Sequence, residues 1–421
     1  MLATARKSTR LLLASLALVA AGSSAASEQA PANAIRAEDF LSTLGVATHI
    51  DYTDGQYSDI GKVIESLRYL GISRVRDHAP NPASDPVGQR HLGTAAKAGI
   101  KFIFTFRGND PHAGVKLLRE FGERHPGSIT AIEGPNEVNN WPISYNGLKG
   151  TEAAQALQAA LYDLAKQDPL LRDLPVIGFT DYPVHSSKAD WNNGHPYSRD
   201  GGQPSRVLLE SKLEQDKVDP GRPFIVTETG YHTGLAAHKA GGWRGVDPSS
   251  QAKFILNTYV GAARLGFKGT YIYQLLDAYP DPDGSNQERQ FGLFDVQFRP
   301  KPSARAVRAL VRILQDDPAA DAFETTALPY SVTDPEEVKT LLVQKSTGAL
   351  ALIVWNEPDI WNEDAPIAIP PKKVTVDLSR PFTSVRIFDP LIGPDAVQSL
   401  SARREVEVEV SGSPVIIEAV P

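Results

Sequence analysis

Short apolar runs alternate with amphipathic stretches along the chain from about residue 44 to residue 315. Runs of this kind, bounded by turn residues, predict strands, and the longer periodic stretches between them predict helices. The predicted strands are 45–50 (GVATHI), 73–77 (SRVRD), 101–106 (KFIFTF), 129–134 (ITAIEG), 175–180 (PVIGFT), 190–197 (DWNNGHPY), 223–229 (PFIVTET) and 269–276 (GTYIYQLL).

The first amphipathic stretch, residues 57–71, shows how a helix is predicted between two strands. Ser58 is the expected N-cap and Gly71 the expected end of this helix. The apolar positions recur with helical spacing and predict one buried face, formed by Ile60, Val63, Ile64 and Leu67.

Eight strands, each followed by a helix over roughly 270 residues, predict an α/β fold of the (β/α)8 TIM-barrel type at residues 45–318. The rival architecture is an open doubly wound sheet. Such a sheet usually has a glycine-rich phosphate loop after its first strand, and HIDYTDGQYS (49–58) lacks that spacing. The pattern therefore favours the barrel.

The pattern changes after about residue 322, where short β-type runs follow one another without a long helical stretch. The alternation in EVEVEV (405–410) is typical of a half-buried strand. Several short strands at regular spacing predict a C-terminal β-sandwich domain at residues 322–421. Residues 27–44 are left as an N-terminal segment without an assigned element.

The first 26 residues have the pattern of an export signal. Arg6, Lys7 and Arg10 form a charged region, an apolar run follows at 11–21, and small residues offer cleavage near residue 25 or 26. The run is shorter than the ~20 residues that a membrane span needs, so we expect a signal peptide, an exported protein in the periplasm or outside the cell, and no membrane span.

Charge and cysteine content narrow the class of function. The net charge is −7, from 43 basic and 50 acidic residues, and removal of three basic residues with the signal peptide leaves 40 against 50, or −10. An acidic chain argues against a nucleic-acid partner. The chain has no cysteine, which excludes disulfides, thiolate metal sites and cysteine nucleophiles.

Polar side chains stand where six of the predicted barrel strands end, which is where barrels carry their active sites. Glu137 after strand four and Glu228 after strand seven are the pair with clear chemistry, since two carboxylates flanking a bond carry out glycoside hydrolysis. Glu133 lies within strand four and is expected to pair with an arginine. The other strand-end groups are Arg74, Arg76, Asp77, His78, Asn136, Asp181, Tyr182, His195, Tyr197, Tyr273, Gln274 and Asp277.

Two of these strand ends, GPNE (134–137) and FIVTETG (224–230), resemble clan A of the glycoside hydrolases, a group of retaining enzymes on (β/α)8 barrels. The resemblance implies that Glu137 is the acid/base, that Glu228 is the nucleophile, and that Asn136 donates a hydrogen bond to the sugar 2-hydroxyl. It also implies that Arg76 keeps the nucleophile ionised. Pairing of Arg76 with Glu133 alone is the structural alternative.

Further motifs extend the resemblance over residues 45–421. GHPYS (194–198) is similar to a His-x-Tyr motif of strand six, which implies that Tyr197 bonds Glu228 and that His195 is a subsite residue. Families with an appended sandwich, such as the xylosidase–iduronidase group, have the nearest layout. The chain departs from clan A at the end of strand eight, where many members have a tryptophan that stacks on the sugar and this chain has Tyr273 and Gln274. The resemblance therefore does not identify the substrate.

Loop aromatic residues are candidates for stacking on sugar rings, and Trp141 is the strongest because it closely follows Glu137. Trp191, Trp243 and Tyr279 are weaker candidates. The acidic loop 277–290 lacks the full ligand spacing of a calcium loop. His78 has no second histidine near it in sequence, so no metal site and no cofactor are expected.

A second Asn-Glu pair occurs at 356–357, after a strand of the predicted sandwich, and is interpreted as a turn. The sequence thus predicts an exported retaining β-glycoside hydrolase that acts on a β-linked polysaccharide or oligosaccharide. Two alternatives stay open: a non-catalytic carbohydrate-binding protein on a hydrolase barrel, and a transglycosylase that passes the sugar to another sugar.

Overall fold

The computed structural model describes residues 32–81, 86–317 and 322–421. The predicted signal peptide lies outside the described residues. No helix in these three segments is long and apolar enough to cross a membrane.

Eight parallel strands form the barrel, and all eight predicted strand positions are occupied. Strands one to eight are Leu44–Ala47, Arg74–His78, Lys101–Thr105, Ile129–Glu133, Val176–Ile177, Asn192–Gly194, Phe224–Thr229 and Thr270–Ile272. Strand eight pairs with strand one, and a parallel bridge between Ile177 and Trp191 joins strand five to strand six, which closes the ring. The predicted (β/α)8 barrel is confirmed.

Within the described residues, seven α-helices follow barrel strands, and an eighth, short α-helix precedes strand one. The short helix is Ala37–Ser42, and the others are Ile60–Leu70, Pro86–Lys97, Pro111–Arg124, Gly150–Gln167, Pro204–Val218, Pro248–Arg264 and Pro302–Leu314. Strand five has no helix after it, because residues 178–191 run to strand six as a loop. The expectation of a helix after every strand is therefore wrong at this position.

The helix Ile60–Leu70 ends as predicted but begins one residue later than expected. Its N-cap is Asp59, whose carboxylate accepts a hydrogen bond from the Lys62 amide at 3.0 Å, and not Ser58. Gly71 has φ 76° and its amide bonds the carbonyls of the last turn, as the predicted stop requires.

Inward-facing side chains fill the barrel in layers. The lower layer is apolar and consists of Ile103, Ala131, Ile177, Ile225 and Tyr271, with Trp191 packed against it. Trp191 therefore lies in the barrel and not on a sugar-binding loop. Because side chains alternate along a strand, the next inward residue lies two positions later and nearer the mouth. Thr105, Glu133 and Thr227 occupy these positions, so a polar layer separates the apolar layer from the mouth.

The C-terminal residues form the predicted β-sandwich, whose longest strand exceeds the prediction. Lys372–Phe388 is one strand that pairs with Gln398–Val410 along both halves, with a register shift between Asp377 and Phe382. Its other edge pairs with Ser331–Val332 in the first half and with Val415–Val420 in the second. The other strands are Ala327–Leu328, Ser331–Val332, Val338–Gln344, Leu350–Asn356, Trp361–Asn362, Ala365–Pro366, Gln398–Val410 and Val415–Val420. A small hairpin, Ser144–Tyr145 with Leu148–Lys149, lies in the loop after barrel strand four.

The N-terminal segment joins the two domains. Ala32–Asn33 pairs with Ala327–Leu328, and Ile35–Arg36 pairs in parallel with Val343 and Gln344. One face of the sandwich sheet packs on the barrel helices, and its side chains belong to the same apolar cluster as the barrel core, including Ala351, Ile353, Trp355, Phe388 and Ile416. The two domains therefore share a core.

The second Asn-Glu pair lies in this interface. Ser205 on a barrel helix donates a hydrogen bond to Glu357 at 2.6 Å, and Lys339 lies 2.9 Å from the same carboxylate. Asn356 accepts a hydrogen bond from the Gly412 amide at 2.9 Å. These contacts hold the sandwich to the barrel, and they give the pair a structural use.

Candidate active site

Glu133 is the centre of the polar layer beneath the barrel mouth. It is 0% exposed and binds Arg76 through two nitrogens, at 2.8 and 3.0 Å. Thr105, Asn193 and Thr227 also donate hydrogen bonds to it, at 2.7, 3.0 and 2.9 Å. Burial raises the pKa of Glu133, but the charge and hydrogen bonds of Arg76 outweigh it, so the pKa falls below its ordinary value. Glu133 is therefore the expected arginine partner.

Arg76 also reaches the two functional candidates above it. Its third nitrogen lies 2.6 Å from the Glu228 carboxylate, and it donates to the side-chain oxygen of Asn136 at 2.6 Å. Both interpretations of Arg76 are therefore realised, since it neutralises Glu133 and also binds Glu228. The hydrogen bond expected between the Tyr197 hydroxyl and Glu228 is present at 2.6 Å.

Glu137 lies past the Gly-Pro break and is held by its own loop and by strand five. Its amide donates to the Thr180 hydroxyl at 2.8 Å, while Asn140 donates to one carboxylate oxygen at 3.0 Å. The backbone of Glu137 has φ 42°, a left-handed conformation that a side chain with a β-carbon rarely adopts. Strained backbone of this kind concentrates at functional sites.

The two glutamates converge on one point of the mouth. A carboxylate oxygen of Glu137, one of Glu228 and a ring nitrogen of His195 all lie within 4.8 Å of one another. Retaining glycosidases hold their two carboxyl groups ~5–5.5 Å apart, whereas inverting enzymes leave ~6.5–9.5 Å for a water molecule. Glu137 and Glu228 are therefore close enough to act on one glycosidic bond.

His195 connects Glu137 to the polar layer. Its Nδ1 lies 2.9 Å from the second Glu137 oxygen, and its Nε2 lies 3.0 Å from the Thr227 hydroxyl. The Thr227 hydroxyl has two oxygen acceptors for its one proton, Glu133 at 2.9 Å and Asn193 at 2.8 Å, so in its contact with His195 the proton is supplied by Nε2. The contact between Nδ1 and Glu137 then holds a single movable proton, which can reside on either partner.

Electrostatics place that proton on His195 in the free protein. Burial lowers the pKa of His195, but the charge of Glu228 and the hydrogen bonds with Glu133 and Glu137 raise it to about 9. Burial likewise raises the pKa of Glu137, and the hydrogen bond and charge of His195 outweigh this and hold it at about 2. The pair thus retains one proton over the whole neutral range.

The remaining predicted residues separate into two groups. Asn136 turns its amide oxygen to Arg76, which leaves its amide nitrogen directed elsewhere, and Trp141 is 68% exposed at the mouth. Gln274 is only 2% exposed and its amide is bonded to Tyr57 and to the Glu288 carbonyl. His195 has both ring nitrogens engaged by the protein. Gln274 and His195 are thus held by other groups of the protein, and the expectation that they contact substrate stays a prediction.

Aromatic side chains pack together on the Glu228 side of the mouth. The ring of Tyr273 lies 5.2 Å from Phe291 and 5.7 Å from His49, and its hydroxyl reaches Glu288 at 3.4 Å. Trp243 lies 5.2 Å from Tyr197, so it supports the partner of Glu228. Glu288 carries no sequence signal of a site residue, because a lone glutamate in a long acidic loop resembles ordinary solvated surface.

A second polar cluster lies beside the site at the ends of strands one and two. Asp51, Asp77 and His78 bring three potential ligand atoms within 4.8 Å of one another, and the ring of His49 lies 5.3 Å from that of His78. The expectation that no histidine lies near His78 is therefore wrong, because His49 lies beside it in the structure. The Asp77 carboxylate already accepts hydrogen bonds from Thr48 and from the amides of Ile50 and His78, so it fixes these two strand ends.

Comparison with known proteins establishes the fold. No family model and no curated protein sequence matches the chain. Among solved structures, a monomeric β-xylosidase from Caulobacter crescentus CB15 is similar with a TM-score of 0.58 at 16% identity, over 93% of this chain and 98% of that chain. The GH39 enzyme from Xanthomonas axonopodis pv. citri is similar with a TM-score of 0.54 at 15% identity, over 94% and 96%.

A GH39 β-xylosidase from Caulobacter crescentus gives the same result, with a TM-score of 0.55 at 16% identity over 93% of this chain and 98% of that chain. Each of these likenesses extends over both domains. The fold that the resemblance implies is thus confirmed. The chain has the fold of these β-xylosidases, a (β/α)8 barrel carrying a β-sandwich.

Proposed function

We propose that the protein is an exported retaining glycoside hydrolase that cleaves a β-linked polysaccharide or oligosaccharide. The observation that carries the proposal is the pair Glu137 and Glu228, whose carboxylate oxygens lie within 4.8 Å at the ends of barrel strands four and seven. The similar structures support it, since their names describe β-xylosidases and a GH39 enzyme.

In the first step, a Glu228 oxygen bonds the anomeric carbon while the glycosidic bond breaks, and Glu137 gives its proton to the leaving oxygen. Arg76 and Tyr197 both donate to Glu228, one to each carboxylate oxygen, and so hold the carboxylate in position for attack. The substrate displaces water around the Glu137–His195 contact. Loss of water disfavours the charged pair, so the proton moves from Nδ1 of His195 to Glu137, where the acid step needs it.

In the second step, Glu137 is ionised and takes a proton from water. The water oxygen bonds the anomeric carbon, and the bond to Glu228 breaks to regenerate its carboxylate. Asn136 is placed to donate its free amide hydrogen to the sugar 2-hydroxyl. No cofactor enters either step, and no nucleic acid or membrane partner is invoked.

The proposal is tested with a panel of 4-methylumbelliferyl β-glycosides, including the xyloside, glucoside, mannoside and glucuronide, together with β-glucans, mannans and xylans. We expect release of sugar from at least one of these, with Glu137→Gln and Glu228→Gln each losing hydrolysis. Glu409→Gln is the control, because Glu409 is exposed on the sandwich. Wild-type turnover in either active-site variant would refute the assignment.

Two other results on the same panel would change the function. Binding of a glycan without any turnover would favour the non-catalytic carbohydrate-binding protein. Turnover that yields longer sugars when an acceptor sugar is in excess would favour the transglycosylase, since the acceptor then replaces water in the second step.

A further inference from the structure

The aromatic side chains near Glu228 are packed against one another, whereas those near Glu137 are exposed to solvent. On the side of Glu228, the rings of Tyr197, Trp243, Tyr273 and Phe291 pack against one another. On the side of Glu137, two aromatic side chains are exposed to solvent: Trp141 is 68% exposed and Tyr182 is 80% exposed. Neither ring stacks on another among the described residues.

These two residues stand on adjacent loops that are tied to the acid/base. The Trp141 amide donates to the Glu137 carbonyl at 2.8 Å, which folds the strand-four loop back over Glu137. The Thr180 hydroxyl accepts from the Glu137 amide at 2.8 Å, and Tyr182 follows two positions after Thr180. The hydrogen bond between Glu137 and Thr180 joins the two loops. Trp141 lies four residues after Glu137, and Tyr182 lies two residues after Thr180.

Both loops have rigid bases, so the exposure is not that of a mobile tip. Val138 and Phe179, one on each loop, pack together with Ala154 in a small buried cluster. Asp181 accepts the Tyr182 amide at 2.8 Å and the Thr151 hydroxyl at 2.7 Å, which fixes the backbone next to the exposed ring. An exposed aromatic surface of this size on a fixed support is typical of a binding site.

Position relative to the reaction identifies the occupant. The acid/base lies on the leaving-group side of the bond that breaks, and the exposed rings surround the acid/base. Aromatic faces bind the apolar CH faces of sugar rings and lose water-exposed area as they do so. We propose that Trp141 and Tyr182 form a platform for the leaving group, which is therefore an oligosaccharide with at least two sugar units beyond the cleaved bond.

This inference rests on the proposed function and narrows its substrate class to chains with an extended leaving-group side. A small glycoside contains no sugar to lie on the platform. Such substrates are therefore expected to be turned over less efficiently than oligosaccharides, and kcat/KM is expected to rise with each of the first two sugar units added on the leaving-group side.

The test uses the sugar that the protein releases in the panel above. Two substrates carry this sugar at the cleaved bond: its β-glycosyl fluoride and a β-linked oligosaccharide of four or more units. The measured quantity is the ratio of kcat/KM for the oligosaccharide to kcat/KM for the fluoride. We expect this ratio to fall roughly tenfold in Trp141→Ala and in Tyr182→Ala, from the ~1–1.5 kcal/mol of an aromatic contact. Trp141→Phe and Tyr182→Phe keep a ring and restore most of the ratio.

The control is Ile392→Ala, which removes a side chain that is 74% exposed on the sandwich and leaves the ratio unchanged. An unchanged ratio in Trp141→Ala and Tyr182→Ala, with the wild type active on the fluoride, overturns the platform and leaves the proposed function intact. An equal fall on both substrates also overturns it, because it indicates damage to the glycone site. A wild type inactive on both substrates overturns the proposed function itself.

Discussion

Replacement of His195 by asparagine tests the shared proton at the candidate active site. Asparagine removes the ionisable ring while it keeps a hydrogen-bonding amide near Glu137. The pKa of His195 is raised from 6.5 to about 9, a difference of 2.5, which corresponds to about 3 kcal/mol of stabilisation for the protonated pair. In the wild type, the pair therefore loses its proton only as the pH rises through about 9.

Without His195, the proton on Glu137 depends on the carboxyl group alone. The main influence that holds the pKa of Glu137 at about 2 is gone, so the pKa moves back toward the ordinary value of 4.5. At pH 7, a carboxyl group with the ordinary value is protonated in about one molecule of 300, and burial of Glu137 raises this fraction, so hydrolysis of an unactivated oligosaccharide is expected to fall by at most roughly 300-fold.

The assay is kcat/KM between pH 4 and pH 10 on two substrates, an oligosaccharide and a dinitrophenyl glycoside whose leaving group needs no proton. The basic limb on the oligosaccharide should move from near pH 9 toward pH 4.5 in His195→Asn, while the dinitrophenyl glycoside should lose little activity at pH 7. A basic limb that stays near pH 9 in the variant would refute the shared proton.

Three further outcomes are expected. Glu133→Gln removes one partner of the buried ion pair with Arg76 and should lower the free energy of unfolding, measured with urea, by about 3–5 kcal/mol. Glu65→Gln breaks the exposed pair with Lys62 and should lower it by under about 1 kcal/mol. Equal losses in the two variants would contradict the buried pairing of Glu133 with Arg76. Tyr197→Phe should lower kcat about tenfold or more with the fold intact by circular dichroism, because it removes a donor to Glu228; an unchanged kcat would count against it. Residues 37–317 expressed alone should aggregate, because barrel and sandwich share one apolar cluster; a monomeric barrel with a cooperative melt would show that the domains are independent.

The strands and the two glutamates could be predicted because both depend on local patterns. A barrel strand buries a short apolar run and presents polar groups where it ends, so Glu137 and Glu228 stand out from sequence alone. The same reasoning placed Glu133 inside strand four, and the structure gives it Arg76 as partner.

Other features depend on residues far apart in the chain and leave no local signal. Thr105, Asn193 and Thr227 each look ordinary within an apolar run, yet they meet around Glu133 only when the barrel closes. The inward positions of His195 and Gln274 likewise depend on distant partners, Thr227 at 32 residues from His195 and Tyr57 at 217 residues from Gln274. The loop that replaces a helix after strand five could not be separated from a helix by polarity alone.

The most direct test of the account is the anomeric configuration of the first product, followed by ¹H NMR during hydrolysis of a β-linked oligosaccharide. A Glu228 oxygen within 4.8 Å of a Glu137 oxygen favours direct attack by Glu228 over attack by a water held between the two carboxyl groups. Direct attack by Glu228 predicts that the β-anomer appears first and that the α-anomer follows only by mutarotation. Appearance of the α-anomer first would contradict it.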